Sequence, residues 1–301
     1  MGDTAGRRRT RASRGAVLPP FLGVLMIVFA GATPSSAIFI GGATPPKGGG
    51  AQPYSYAAQN LAGVYQATVV VTGSDRRYRN VGFARCLKIV LVKVSGNPRL
   101  DADPRVDRWA REANLFVGSF DYVDQLAAYN VKDDQGTYDR PFNLTVHFVP
   151  AMIDRLLVDL GDRPWRGERP VIVPVLAVRG VSTAYLLSAE ARAGADQRGS
   201  LEEVASELGL RVGFATDAEL AQWHVTMDGF PQPGVTPPAD WALVAGTLEF
   251  QQAVPGWAGS WKMRYQGRDY TWGIRGVNFD AAFRNLARGV VQIASGHGAP
   301  G

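Results

Sequence analysis

Trp257-Ala258-Gly259-Ser260-Trp261-Lys262-Met263-Arg264-Tyr265 is followed by Gln266-Gly267-Arg268-Asp269 and then by Tyr270-Thr271-Trp272-Gly273-Ile274-Arg275-Gly276-Val277. Successive side chains on a strand point to opposite faces. Trp257, Gly259, Trp261, Met263 and Tyr265 therefore share one face, and Ala258, Ser260, Lys262 and Arg264 the other. The return strand divides the same way, with Tyr270, Trp272 and Ile274 against Thr271 and Arg275. The reading is a β-hairpin with one aromatic face and one basic face.

Asn278 caps a helix that starts at Phe279 and runs to about Ala294, with Phe279, Phe283, Leu286, Val290 and Ile293 on one side. A helix with that stripe needs a sheet to cover. The aromatic face is therefore expected to be core beneath it, and Lys262, Arg264 and Arg275 to face solvent as candidate binding residues for an anionic partner.

Working toward the amino terminus, Trp241–Phe250 reads as a further strand, and the second half as an antiparallel meander. Ser200 with Glu203 reads as a capping box opening a helix that Gly209 ends. Val171 to Val178 is an apolar strand in which Pro174 suggests a bulge or an edge. Pro150 starts a helix carrying Ile153, Leu156 and Leu157. Phe142 to Phe148 alternates cleanly: Leu144, Val146 and Phe148 oppose Asn143, Thr145 and His147, a half-buried strand. Phe120 to Ala128 is a candidate strand, and Asp103-Pro104 opens a helix as cap and first residue. Val64 to Thr72 is a strand, followed by a helix to about Val94 that Gly96-Asn97-Pro98 stops.

The fold class is α+β (mixed α/β), in two subdomains of small mixed or antiparallel sheets packed on helices. The boundaries expected are residues 61–162 and 171–295, joined by a connector over 163–170 and followed by a disordered tail, 296–301.

The chain opens with Arg7, Arg8, Arg9, Arg11 and Arg14, a short apolar run from Phe21 to Ala30, and Ser35-Ser36-Ala37. Positive flank, short apolar core and small-residue exit describe a secretory signal peptide over residues 1–37. Residues 38–60, rich in Gly and Pro, then form a flexible tether. An uncleaved amino-terminal anchor in the inner membrane is the alternative. The chain has 32 basic and 27 acidic residues, of which the leader holds five Arg and one Asp. The remainder is thus nearly balanced, and an electrostatic case for nucleic acid largely disappears.

There is one cysteine, Cys86. No internal disulfide can form, and Cys86 sits among Phe83, Val90 and Val94 on a helix as a small buried residue.

Three segments together resemble an uncharacterised bacterial family, domain of unknown function 2066 (DUF2066). They are Tyr65–Val71 with Leu87–Asn97, Phe148–Leu157 running into Pro164–Pro170, and Trp257–Gly289. The resemblance implies exported envelope proteins of Gram-negative bacteria with no assigned activity, and carries over no catalytic residue.

Candidate chemistry is sparse. The three histidines, His147, His224 and His297, are far apart, with no metal-ligand spacing, and no cofactor is indicated. Asp101, Asp103 and Asp107 lack the glycine and glutamate of a calcium loop, and Asp133, Asp134 and Asp139 read as a solvated loop. No nucleophile elbow is present. The expectation is a non-catalytic binding or assembly module of the periplasm whose partner is another envelope protein or an envelope polymer. The alternative is an envelope hydrolase with a dispersed site using His147 or His224 as base with a nearby Asp.

Overall fold

The computed structural model describes residues 61–127, 140–230, 238, 240–253 and 255–301. The expected leader, the tether and the Asp133–Asp139 loop lie outside these residues. Ala57–Gly301 forms one compact unit, and its fold is α+β.

Strand β1 (Gln66–Thr72) leads into helix α1 (Arg76–Ser95), which ends at Gly96 with φ 73°. Helix α2 (Pro104–Ala110) is capped by Asp103, whose carboxylate accepts from the Arg105 N–H at 2.8 Å. Strands β2 (Val117–Asp124) and β3 (Pro141–Phe148) follow, and the three strands pair antiparallel in the order β1-β3-β2. Alternation decides the faces. Ala67, Val69, Val71, Leu144, Val146 and Phe148 are buried, against an α1 face built from Phe83, Cys86, Leu87, Val90 and Leu91. Thr68, Asn143, Thr145 and His147 lie on the opposite, open face. Strand β1 is an edge, and α1 closes it with side chains: Lys93 Nζ donates to Gln66 O at 2.9 Å and Arg85 to Val70 O at 2.9 Å. Cations over free edge carbonyls guard such an edge against pairing with another chain.

Helix α3 (Pro150–Asp159) precedes the connector, where the Arg169 guanidinium stacks 4.3 Å from the Trp165 ring and donates to Lys93 O at 2.7 Å. Strand β4 (Val171–Arg179), β5 (Ala184–Leu186), helix α4 (Ala195–Glu207), β6 (Arg211–Val212), helix α5 (Asp217–Gln222), β7 (Trp241–Gln251), β8 (Gly256–Tyr265), β9 (Arg268–Val277) and helix α6 (Phe279–Ala294) complete the chain. They build a six-stranded sheet, β5-β4-β7-β8-β9, with β6 also paired to β4.

The β7-β8-β9 meander is antiparallel as expected, but β7 joins β4 in parallel. Strand β4 is central and buried on both faces. Pro174 fits there because β6 covers only Val171 and Ile172, and β5 only Ala177 to Arg179. Ile172 and Leu176 turn their carbonyls to that side, toward Gly213 and Leu187. By alternation Pro174 faces the gap between β6 and β5, where no N–H is needed.

Helix α4 starts earlier than its Ser200 signal. It begins after Gly194 at φ 87°, and Ser200, inside the helix, donates to Asp280 at 2.6 Å. The capping box belongs instead to α5, between Thr216 and Glu219.

Helix α6 lies against β8 and β9. Trp261 is fully buried, and Trp272 nearly so, beneath Phe283, Leu286 and Val290. Both indoles find partners there. Trp261 Nε1 donates to Asn285 Oδ1 at 2.9 Å and Trp272 Nε1 to Asn285 O at 3.1 Å. Two glycines make this possible. A Cβ on Gly259 would lie 2.2 Å from the Trp261 ring, and one on Gly289 would lie 2.3 Å from the Trp272 ring.

Candidate binding surface

The outer face of β7, β8 and β9 is built by the residues that alternate with this core. Across the strands Thr247 faces Ser260, which faces Gly273, and Ala245 faces Lys262, which faces Thr271. Among the described residues, α5 shields the sheet at its β4 and β7 end, where Val175 packs with Ala215, Leu220 and Val225, and Leu243 against them. Beyond it a trough of about 670 Å³ runs over Thr247, Ser260 and Thr271, with Glu249 and Arg275 among its charged lining. A second hollow of about 240 Å³ is lined by Phe230, Leu243, Lys262, Arg264 and Tyr270.

Lys262, Arg264 and Arg275 are all exposed on this face. Lys262 Nζ lies 5.7 Å from the Phe230 ring centre, and Arg264 approaches Asp269 only to 3.9 Å. Arg179, at the end of β4, is held by Glu249 at 2.9 Å and by Asp228 and Met227 O at 2.6 Å each. It neutralises Glu249 at one end of the trough, and on the rest of the face Lys262, Arg264 and Arg275 stand against the acid Asp269. The arrangement offers cations and hydroxyls on a rigid sheet, suited to an anionic surface or chain.

The structure does not bring His147 and His224 together. His147 sits on the open face of the three-stranded sheet, 3.5 Å from an Asp121 carboxylate that is itself 74% exposed. His224 is exposed after α5, in a left-handed conformation with φ 54°. Neither lines the two hollows of the outer face.

The third histidine holds a different surprise. The tail, expected to fray, is tied down. His297 Nδ1 lies 2.8 Å from Ser295 Oγ, and its Nε2 lies 3.1 Å from Asp162 Oδ1. Asp162 also accepts from Asn97 at 2.8 Å and from the Arg163 N–H at 2.7 Å. Burial by itself would raise the Asp162 carboxyl, but these donors outweigh it and hold it below its ordinary value.

Hydroxyl, imidazole and carboxylate in a row are the atoms of a hydrolytic relay. Their surroundings make them a clasp. Ser295 Oγ also lies 2.8 Å from Gly96 O and 3.3 Å from Gln292 O. A Cβ on Gly96 would lie 2.4 Å from Ser295 Cβ, so the backbone is packed against the hydroxyl. The N–H groups of Ser295, Gly296 and His297 all donate back into α6, leaving none of the three to stabilise an oxyanion. Sequence reasoning missed this cluster because Asp162 stands 135 positions from His297.

Cys86 is fully buried beside Ala67 O, and burial pushes its thiol up to about 12, which removes the thiolate a nucleophile needs. Among the described residues no group of three or more His, Cys, Asp or Glu side chains is placed to hold a metal ion, and no helix is long and apolar enough to cross a membrane.

Residues 58–166 match a family described as Domain of unknown function (DUF8605). An uncharacterised domain family is thus found, and it differs from the DUF2066 family that the sequence segments resemble. No curated protein and no solved structure matches the chain.

Proposed function

We propose that this chain is a non-catalytic binding or assembly module of the cell envelope that presents the outer face of β7-β8-β9 to an anionic partner. The observation that carries the reading is the division of one hairpin into a buried aromatic side and an exposed side bearing Lys262, Arg264 and Arg275. Exposed cations on a rigid sheet face are available to an anionic partner. The leader supports a periplasmic location, and the partner is then another envelope protein or an envelope polymer. The hydrolase reading has His147 beside Asp121, but that pair is exposed and lies outside both hollows of the outer face, which favours the binding reading.

The test is crosslinking and co-purification from envelope fractions of the native host, comparing wild type with Lys262→Glu/Arg264→Glu. Loss of a partner from the folded variant is the expected result. Equal recovery from both proteins, or recovery of nothing from wild type, overturns the proposal. Amino-terminal sequencing of the same material tests export: a start at Ile38 is expected, whereas a start at Met1 or Gly2 in the membrane fraction identifies an anchor.

A further inference from the structure

Helix α6 has a second side, turned away from the sheet, where it packs on α4 and on the turn Pro98–Ala102. Arg284 and Arg288, four residues apart, share that side. Arg85 and Lys88 of α1 line the same cavity, about 400 Å³ in volume. Ile89 and Val92 of α1 and Leu208 after α4 give it an apolar floor. Four cations and two carboxylates, Asp101 and Glu207, complete the lining.

The carboxylates are paired in the present state, Arg284 with Glu207 and Arg288 with Asp101, while Lys88 reaches outward to Asp107. Arg85 has no carboxylate of its own and donates to Val70 O. The two pairs inside the cavity are between 34% and 46% exposed, so water screens them and each contributes little to stability. An incoming dianion gains more. Guanidinium groups bind phosphate through two parallel N–H bonds, and two of them on successive turns of α6 grip one phosphate from the same direction. Counting Asp107, the cavity has four cations against three carboxylates, and Arg85 supplies the surplus charge that attracts an anion.

We propose that this cavity between α1 and α6 is a binding site for a phosphate monoester carrying a short apolar arm. The phosphate sits between Arg284, Arg288 and Arg85, and the arm lies on Ile89, Val92 and Leu208. The site is separate from the outer face of the sheet. Two sources share this chemistry: a soluble phosphate ester and the headgroup of a phosphatidic-acid-type lipid. Bound ligand would bridge α1 to α6 and so raise the melting temperature of the whole unit.

The experiment is calorimetric titration of the full chain with hexyl phosphate, inorganic phosphate and hexanol at fixed ionic strength, alongside co-sedimentation with phosphatidylcholine vesicles with and without phosphatidic acid. Hexyl phosphate is expected to bind at least tenfold more tightly than inorganic phosphate, with no heat from hexanol. Sedimentation only with phosphatidic acid vesicles, without hexyl phosphate binding, assigns the ligand to the lipid. Arg284→Gln/Arg288→Gln is expected to weaken binding tenfold or more. Arg85→Gln, which leaves both ion pairs intact, is expected to weaken it severalfold. Asp101→Asn/Glu207→Gln removes the competing carboxylates and is expected to tighten it, a gain that a purely structural ion-pair network would not give. No binding of hexyl phosphate or of phosphatidic acid vesicles overturns the proposal, as does binding that these substitutions leave unchanged.

Discussion

The two sheets solve the same problem to different extents. The three-stranded sheet buries one face under α1 and leaves the other to solvent as threonines, Asn143 and His147. Among the described residues, the six-stranded sheet buries one face under α6 and covers the second chiefly near β4, where α5 lies. Its remaining outer face is open like the first sheet's, but it carries Lys262, Arg264 and Arg275 in place of small polar residues. The difference teaches that openness alone does not mark a surface for function. Both sheets have an open face, and only the second gathers three exposed cations, which outnumber its acids Asp269 and Glu249.

The strongest way to break this comparison is to attack the covered face. Trp261→Ala removes a fully buried indole and the hydrogen bond to Asn285, and is expected to cost ~3–5 kcal/mol by chemical denaturation. A variant that keeps wild-type stability would mean that the aromatic face is not the core.

Gly289→Ala sharpens the same point. In an exposed helix this substitution stabilises by up to about 1 kcal/mol. Here the new methyl meets the Trp272 ring, and a destabilisation of about 1–3 kcal/mol is expected by thermal melting. A gain in melting temperature would show that α6 stands farther from β9.

The clasp gives a smaller, pH-dependent effect. The Asp162 carboxyl is held below its ordinary value of 3.8, so its contribution is fully present above that pH and is lost as pH falls through the folded value. His297→Ala is expected to cost about 1 kcal/mol at pH 7, and to cost less as the pH falls through the lowered folded value of Asp162, where the carboxylate is lost from folded and unfolded chains alike. Urea midpoints measured from pH 2.5 to 7 check this. An equal loss at every pH would remove Asp162 from the clasp.

Much of this architecture was legible along the chain. The alternation in Phe142–Phe148 and Trp257–Val277 names its buried side outright, and α6 follows from its apolar stripe and Asn278. What stayed hidden depends on partners distant in sequence. Nothing around Trp241 announces a parallel neighbour, because a parallel pair is specified by the crossover between its strands rather than by the strand itself. Ser200 misled because its hydroxyl serves Asp280 rather than a helix start. The candidate surface was readable as a basic face, since Lys262, Arg264 and Arg275 follow from period two. The cavity between α1 and α6 was not, because its cations come from helices two hundred residues apart.

The smallest expected change in stability belongs to the open face. Lys262→Glu/Arg264→Glu should shift the melting temperature by no more than a degree or two, since both side chains are exposed. Unfolding of this variant would place these residues in the core.

Site-specific photocrosslinking from position 271, between Lys262 and the open trough, tests the account most directly. In the native envelope an adduct is expected that depends on light and falls sharply when Lys262→Glu/Arg264→Glu is added. No adduct above the dark control, or one indifferent to those charges, would contradict the claim that the outer face of β7-β8-β9 is where this protein meets its partner.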